Sequence, residues 1–162
     1  MIPQDAVVAK ATLLIRKPAN EIFECFVDPE KLSKFWLAQA SGPLEVEQTV
    51  RWEFMVPGAH VDTRVVSLEK DQRIAIEWSD GTFVQWTFEP MEEGTRVAIE
   101  NWGFKGLESE IVESALEATQ GFTIVLCDLK TLLEHDTSMN LVRDKALLIQ
   151  RALHQAPGGR ES

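Results

Sequence analysis

The sequence predicts an α+β fold in which a curved antiparallel sheet of about six strands is covered by one long C-terminal helix. From Ser109 to Glu134, apolar residues recur at three- and four-residue steps, the spacing of one broad helical face. Before it, from Leu44 to Asn101, strand-like runs follow one another with only tight turns between them, which implies an antiparallel meander. Two short helical segments, each with a proline at its start, separate that meander from a first strand. This order places the helices on one side of the sheet.

The first strand is Val7 to Arg16, whose near-continuous apolar residues suit burial on both faces or a place at a sheet edge. Lys17-Pro18 ends it. Pro18 suits the first turn of a helix, with Asn20 and Glu21 near its start and Ile22, Phe23, Phe26 and Val27 as its apolar face. Asp28 as N-cap and Pro29 as first helical residue open a second helix, Pro29 to Trp36, which buries Leu32, Phe35 and Trp36. Leu44 to Val56 then alternates. Leu44, Val46, Val50, Trp52 and Phe54 face one way, and Glu45, Glu47, Thr49, Arg51 and Glu53 the other. Pro57-Gly58 turns the chain into the strand His60 to Glu69, and Asp71-Gln72 turns it again. Ile74, Ile76 and Trp78 mark the fourth strand. Ser79-Asp80-Gly81 is a hairpin signal. Val84, Trp86 and Phe88 mark the fifth strand, Glu92-Glu93-Gly94 the next turn, and Val97, Ile99 and Asn101 the sixth strand.

In the long helix, Ile111, Ala115, Ala118, Phe122, Val125, Leu129 and Leu132 share a face that Val112, Leu116, Thr119, Leu126 and Leu133 widen. A stripe that wide is expected to lie on the sheet. His135 to Ser138 is a polar break. Leu141 to Leu153 is a further amphipathic helix, expected to dock on its own domain, close a pocket or pair with a second subunit. Residues 1–137 thus read as one domain, and 138–162 as a helical extension whose end, Ala156 to Ser162, is a disordered tail.

With 162 residues and 44% hydrophobic content the chain suits one domain with a real core. A formal net charge of −10, from 16 basic and 26 acidic residues, repels phosphate backbones and speaks against nucleic-acid binding. No apolar stretch is long enough to span a bilayer and the N-terminus lacks the pattern of a signal peptide, so a cytoplasmic location with no membrane partner is expected. Cys25 and Cys127 fall in predicted helices and read as reduced, buried small hydrophobes. His60, His135 and His154 are scattered without ligand spacing, so no metal site and no cofactor are expected. No nucleophile elbow, phosphate loop or dinucleotide fingerprint is present, and tyrosine is absent.

Three segments resemble a known family. Pro18-Ala-Asn-Glu-Ile-Phe-Glu-Cys-Phe26, with Asp28-Pro29-Glu30-Lys31-Leu32 and Phe35-Trp36, resembles the opening helix pair of the START-like, helix-grip superfamily, also called SRPBCC. More narrowly, it resembles the family named for homologues of the activator of heat-shock protein 90 ATPase. Gly94 to Asn101 with Gly103-Phe104 resembles that family's last strand, and Gln120-Gly121-Phe122 through Glu134 its terminal helix. The resemblance covers roughly residues 7 to 137 and implies the helix-grip fold. Members include lipid carriers, polyketide cyclases, hormone receptors and chaperone partners, so it implies no single function. Where the family often shows a histidine this chain has Asn101, and Leu141 to Leu153 lies beyond the usual end of the domain.

The fold implied by the resemblance tends to leave a gap between sheet and long helix. The candidate ligand-binding residues are therefore the inward aromatics Trp36, Trp52, Phe54, Trp78, Trp86, Phe88 and Phe122, with Asn101, Ala118 and Val125. Ala115, Ala118 and Gly121 leave space on the helix's inner side, and Gly121 reads as a packing or bending site. Asp62 and Arg64, two apart on one strand, are expected to be solvated charges rather than a pair. The leading expectation is a non-catalytic domain that binds a small, mostly apolar molecule. Its alternatives are a cyclase- or hydrolase-like enzyme using pocket polar groups, and a co-chaperone-like protein-binding module suggested by the family name alone. A homodimer through the extra helix is a further expectation.

Overall fold

Ala9–Ile15 forms β1, and Lys17 and Pro18 lead into α1, Ala19–Val27. The structure, a computed structural model, describes residues 2–155, so the tail expected from Ala156 to Ser162 lies outside the described residues. Pro18 is the residue before α1, in extended conformation with ψ 151°, and not part of its first turn. Asp28 ends α1 and begins α2, Pro29–Leu32, where its Oδ1 accepts the Glu30 N–H at 2.9 Å. The helix expected to reach Trp36 stops after one turn, and residues 33–36 continue as hydrogen-bonded turns. Leu32, Phe35 and Trp36 are nonetheless all buried.

The sheet has seven strands: β1 is joined by β2 (Leu37–Ala40), β3 (Thr49–Phe54), β4 (His60–Glu69), β5 (Arg73–Trp78), β6 (Phe83–Met91) and β7 (Gly94–Trp102). Their order is β1-β7-β6-β5-β4-β3-β2, and every neighbouring pair is antiparallel. Two readings of the sequence are corrected. The four-residue strand β2 is too short to carry a periodic signal. The alternating run from Leu44 is strand only from Thr49, because Glu47 adopts φ 66° and breaks the extended chain. Leu44 stays buried, its N–H bonded to the Val27 carbonyl at 3.2 Å, but Val46 is turned out to solvent. A register shift between Val65 and Ser67 leaves Val66 exposed; such a bulge bends a strand and increases sheet twist.

The long helix α3, Glu108–His135, buries Ala115, Phe122, Val125, Leu126 and Leu129. Its buried face is narrower than the sequence suggested, since Val112 and Leu116 near its start are exposed. Its C-terminal end is tied to the edge strand β1. Lys130 Nζ donates to the Leu14 carbonyl at 2.7 Å, and Glu134 Oε2 accepts the Arg16 N–H at 2.7 Å and Lys130 Nζ at 2.6 Å. These contacts satisfy backbone groups on β1 and at the residue that follows it, at the edge of the sheet where the strand is paired on one side only. At the β6–β7 turn a Cβ on Gly94, whose φ is 154°, would collide with the Ile15 carbonyl, so close approach to β1 requires glycine there.

A last helix, α4 (Leu141–His154), packs principally on α3. Its start is held by Asp128 of α3, whose Oδ2 accepts the Val142 N–H at 3.1 Å. Between sheet and helices the core is crowded with rings. Trp36 lies 5.2 Å from Trp52, and Phe26 lies 5.6 Å from Trp86. Asp62 and Arg64 form no pair with each other among the described residues; both are exposed, and Arg64 reaches across to Glu77 on β5 at 2.6 Å.

Candidate functional site

A cavity of about 500 Å³ opens where α3, α4 and the β3–β4 end of the sheet meet. The strand alternation turns Phe54 and Trp78 toward the helices, and the loop Met55 to Ala59 forms one rim. On the opposite side α3 presents Ala118, Gly121, Phe122 and Val125. These recur at three- and four-residue steps, so small and large side chains lie in one row. The small members make the space. A Cβ built on Gly121 meets no atom within 4 Å, so this glycine borders open volume, in line with the space expected from the small residues of the helix and without the packing role also expected of it.

Seven of the ten residues singled out in the sequence line this cavity: Trp36, Phe54, Trp78, Asn101, Ala118, Phe122 and Val125. Phe122 joins the walls, stacked on Trp78 at 6.2 Å with planes 14° apart and edge-on to Trp36 at 6.0 Å. Trp52, Trp86 and Phe88 do not line it. They fill the core, Trp52 and Trp86 with 0% exposure, and Phe88 packs against Phe23 of α1 at 5.6 Å. The reason is the sheet's curvature: side chains on one face share an interior but not one end of it. The β3–β4 loop and the inner face of α4 also line the cavity and were not among the ten. The apolar spacing of Val142, Ala146, Ile149 and Leu153 was the available signal for α4; the loop residues Met55, Val56 and Ala59 carry none.

Among the described residues, only Asn101 and Lys145 bring polar side chains with hydrogen-bonding or charged ends to this lining, apart from the indoles of Trp36 and Trp78. Asn101, buried on β7 opposite Val84, donates its Nδ2 to the Phe83 carbonyl at 2.8 Å. Lys145 Nζ donates to Gln120 Oε1 on α3 at 2.6 Å. The Trp78 indole N–H is buried without a partner among the described residues. Such a donor costs free energy unless something accepts from it.

Among the described residues no carboxylate lines the cavity. Asp128, the one buried acid among the described residues, is 2% exposed and turned to the α3–α4 seam, where its second oxygen has no partner among them. Burial raises its pKa, outweighing the Val142 N–H and the Arg143 guanidinium that lower it; Asp144 adds to the rise. Burial likewise pushes the Cys25 thiol up to about 11, which keeps it protonated and a poor nucleophile. Cys25 and Cys127 are both free. Among the described residues no group of three or more His, Cys, Asp or Glu could hold a metal ion, and no helix is long and apolar enough to cross a membrane.

Comparison with known proteins adds a family and a fold. Residues 16–134 match the family described as Activator of Hsp90 ATPase homolog 1-like protein. Protein SSP2350 from Staphylococcus saprophyticus superposes with a TM-score of 0.71 at 27% identity, over 82% of this chain and 96% of its own. The Aha1 dimer from Colwellia psychrerythraea gives 0.70 at 19% identity, over 80% and 97%. CalU16 from Micromonospora echinospora gives 0.60 at 17% identity, over 93% and 89%, a span that necessarily runs past residue 137. No curated protein matches by sequence.

Proposed function

This chain belongs to the Activator of Hsp90 ATPase homolog 1-like family, and from that premise we propose that it is a binding protein for a small, mostly apolar molecule. The observation that carries the reading is the cavity itself. Its volume of about 500 Å³ suits a small ligand, and apolar and aromatic side chains dominate its walls with two polar side chains to orient an occupant. The proposed contacts are Trp36, Phe54, Trp78, Asn101, Ala118, Phe122 and Val125, with α4 as the outer wall. The extension 138–155 is then part of the binding domain and not an appendage. A cyclase- or hydrolase-like role gains no support from the lining, which lacks a carboxylate, and Asp128 is engaged by α4.

Native mass spectrometry before and after denaturing extraction tests the proposal, together with titration by the neutral fluorophore N-phenyl-1-naphthylamine. A co-purifying small molecule, or saturable fluorophore binding abolished by Ala118→Phe, is the expected result. A clean apo mass with no saturable binding would overturn it.

We also propose a homodimer through α4, whose outer face leaves Leu147 and Leu148 exposed, the latter at 70%. The Colwellia relative is described as a dimer. Sedimentation at two concentrations checks this: a dimer mass that Leu148→Glu reduces to a monomer is expected, and a monomer throughout would contradict it.

A further inference from the structure

We propose that the cavity selects amphiphilic anions: molecules with an apolar body and one carboxylate- or sulfonate-like end, held at Lys145. The proposal rests on the container reading above and narrows its ligand class.

Lys145 sits on the inner stripe of α4, one residue from Ala146 and three from Val142, and is half-buried in the wall. It lines the apolar wall while its ammonium bonds the exposed Gln120 at the solvent-facing rim of the α3–α4 seam, the usual compromise of a long cationic side chain. The ammonium has three N–H donors. One is used, on the neutral carboxamide of Gln120.

The informative point is that a cation without a counter-ion stands in an apolar cavity wall. Six of the basic residues have a carboxylate partner within the described residues, and several others, such as Lys17 and Lys31, have none; Lys145 differs from these in standing in the cavity wall. Among the described residues Lys145 has no carboxylate partner, and no acidic side chain lines the cavity. A neutral apolar occupant reaching the seam would strip water from that ammonium and return nothing. A cationic end would be repelled. An anionic end restores the lost solvation with a charge-assisted hydrogen bond. The opposite pole of such a ligand meets Trp36, Trp78 and Phe122, where an apolar or aromatic body packs.

A matched pair of fluorophores tests this. N-phenyl-1-naphthylamine and 8-anilino-1-naphthalenesulfonate share one ring skeleton and differ by the sulfonate. The full chain is expected to bind the sulfonate more tightly. In Lys145→Met the ratio of the two affinities should fall about five-fold, the size of a partly solvated ion pair, and Lys145→Arg should restore most of it. Competition with dodecanoate and with 2-naphthoate then separates a flexible chain from a fused-ring body; displacement by either supports the anionic end. A ratio unchanged by Lys145→Met, or displacement by neither acid, would overturn the proposal. If the neutral probe still binds and Ala118→Phe still blocks it, the container reading survives that failure. If neither probe binds at all, both fall together.

Discussion

The Asp128 carboxylate on α3 accepts the Val142 N–H of α4 at 3.1 Å, so one helix caps the next through a buried charge. An N-terminal N–H of a helix normally finds its acceptor on the residue just before it. Here that residue, Asn140, makes no side-chain cap, and Asp128 supplies the acceptor from fourteen positions upstream. The bond fixes where α4 begins and therefore where Lys145 and Ala146 stand over the cavity. Removing the acceptor in Asp128→Ala should cost about 1 kcal/mol and raise hydrogen exchange at the first turn of α4. Unchanged exchange there would mean that side-chain packing alone holds the helix.

The same carboxylate gives stability an unusual pH dependence. Its folded pKa is raised, with burial the leading cause, so the folded state binds the proton more tightly than the unfolded state does. The penalty of the buried charge is full above the folded pKa. It is relieved as pH falls toward the ordinary aspartate value of about 3.9. Asp128→Asn keeps an acceptor and removes the charge. It should therefore gain stability relative to the parent at neutral pH and lose the advantage on acidification. A constant difference across pH would contradict this.

Glu134 works in the opposite sense. Burial raises its pKa, but the Arg16 N–H and the Lys130 ammonium outweigh that and leave it lowered. Its contribution is present above the ordinary glutamate value and is lost as pH falls through the folded one. Glu134→Gln should destabilise the chain by about 1 kcal/mol at neutral pH and by less in acid, with faster exchange of the Arg16 amide. Equal loss at both pH values would assign the effect to packing instead of charge.

Two glycines should respond with opposite signs. Gly121→Ala adds a methyl where nothing lies within 4 Å, so it should stabilise α3 by about 0.5–1 kcal/mol while weakening probe binding. Gly94→Ala drives a Cβ into the Ile15 carbonyl and should destabilise the fold. Thermal melts of both variants, with a probe titration of the first, check the pair.

The thiols offer a simple chemical readout. Cys25 is 5% exposed with its thiol pKa near 11, whereas Cys127 is only half-buried. Alkylation of the native protein at pH 8 should modify Cys127 first and leave Cys25 unlabelled until unfolding.

Much of this architecture was legible because it is periodic. The strand from His60 to Glu69 and the long helix fell within a residue of their bounds, since alternation and the three-to-four step extend over many residues. What escaped was short or singular. Four residues from Leu37 to Ala40 cannot establish a period, and the positive φ of Glu47 has no signature in a run that otherwise alternates. The site was legible in part for a related reason. Alternation tells which face Trp52, Trp78 and Trp86 occupy, but curvature decides that only Trp78 reaches the open end. The role of Asp128 was illegible because a polar residue on an apolar helix face signals a buried partner without naming it.

The space between Phe122 and α4 is the proposed ligand site. A crystal structure of the protein grown with N-phenyl-1-naphthylamine tests it most directly. The expected result is electron density for the fluorophore against Trp36, Trp78 and Phe122, beneath Ala146 and beside Gly121. Side chains packed solidly through that volume, with the fluorophore absent or bound only on the outer face of α4, would contradict the account.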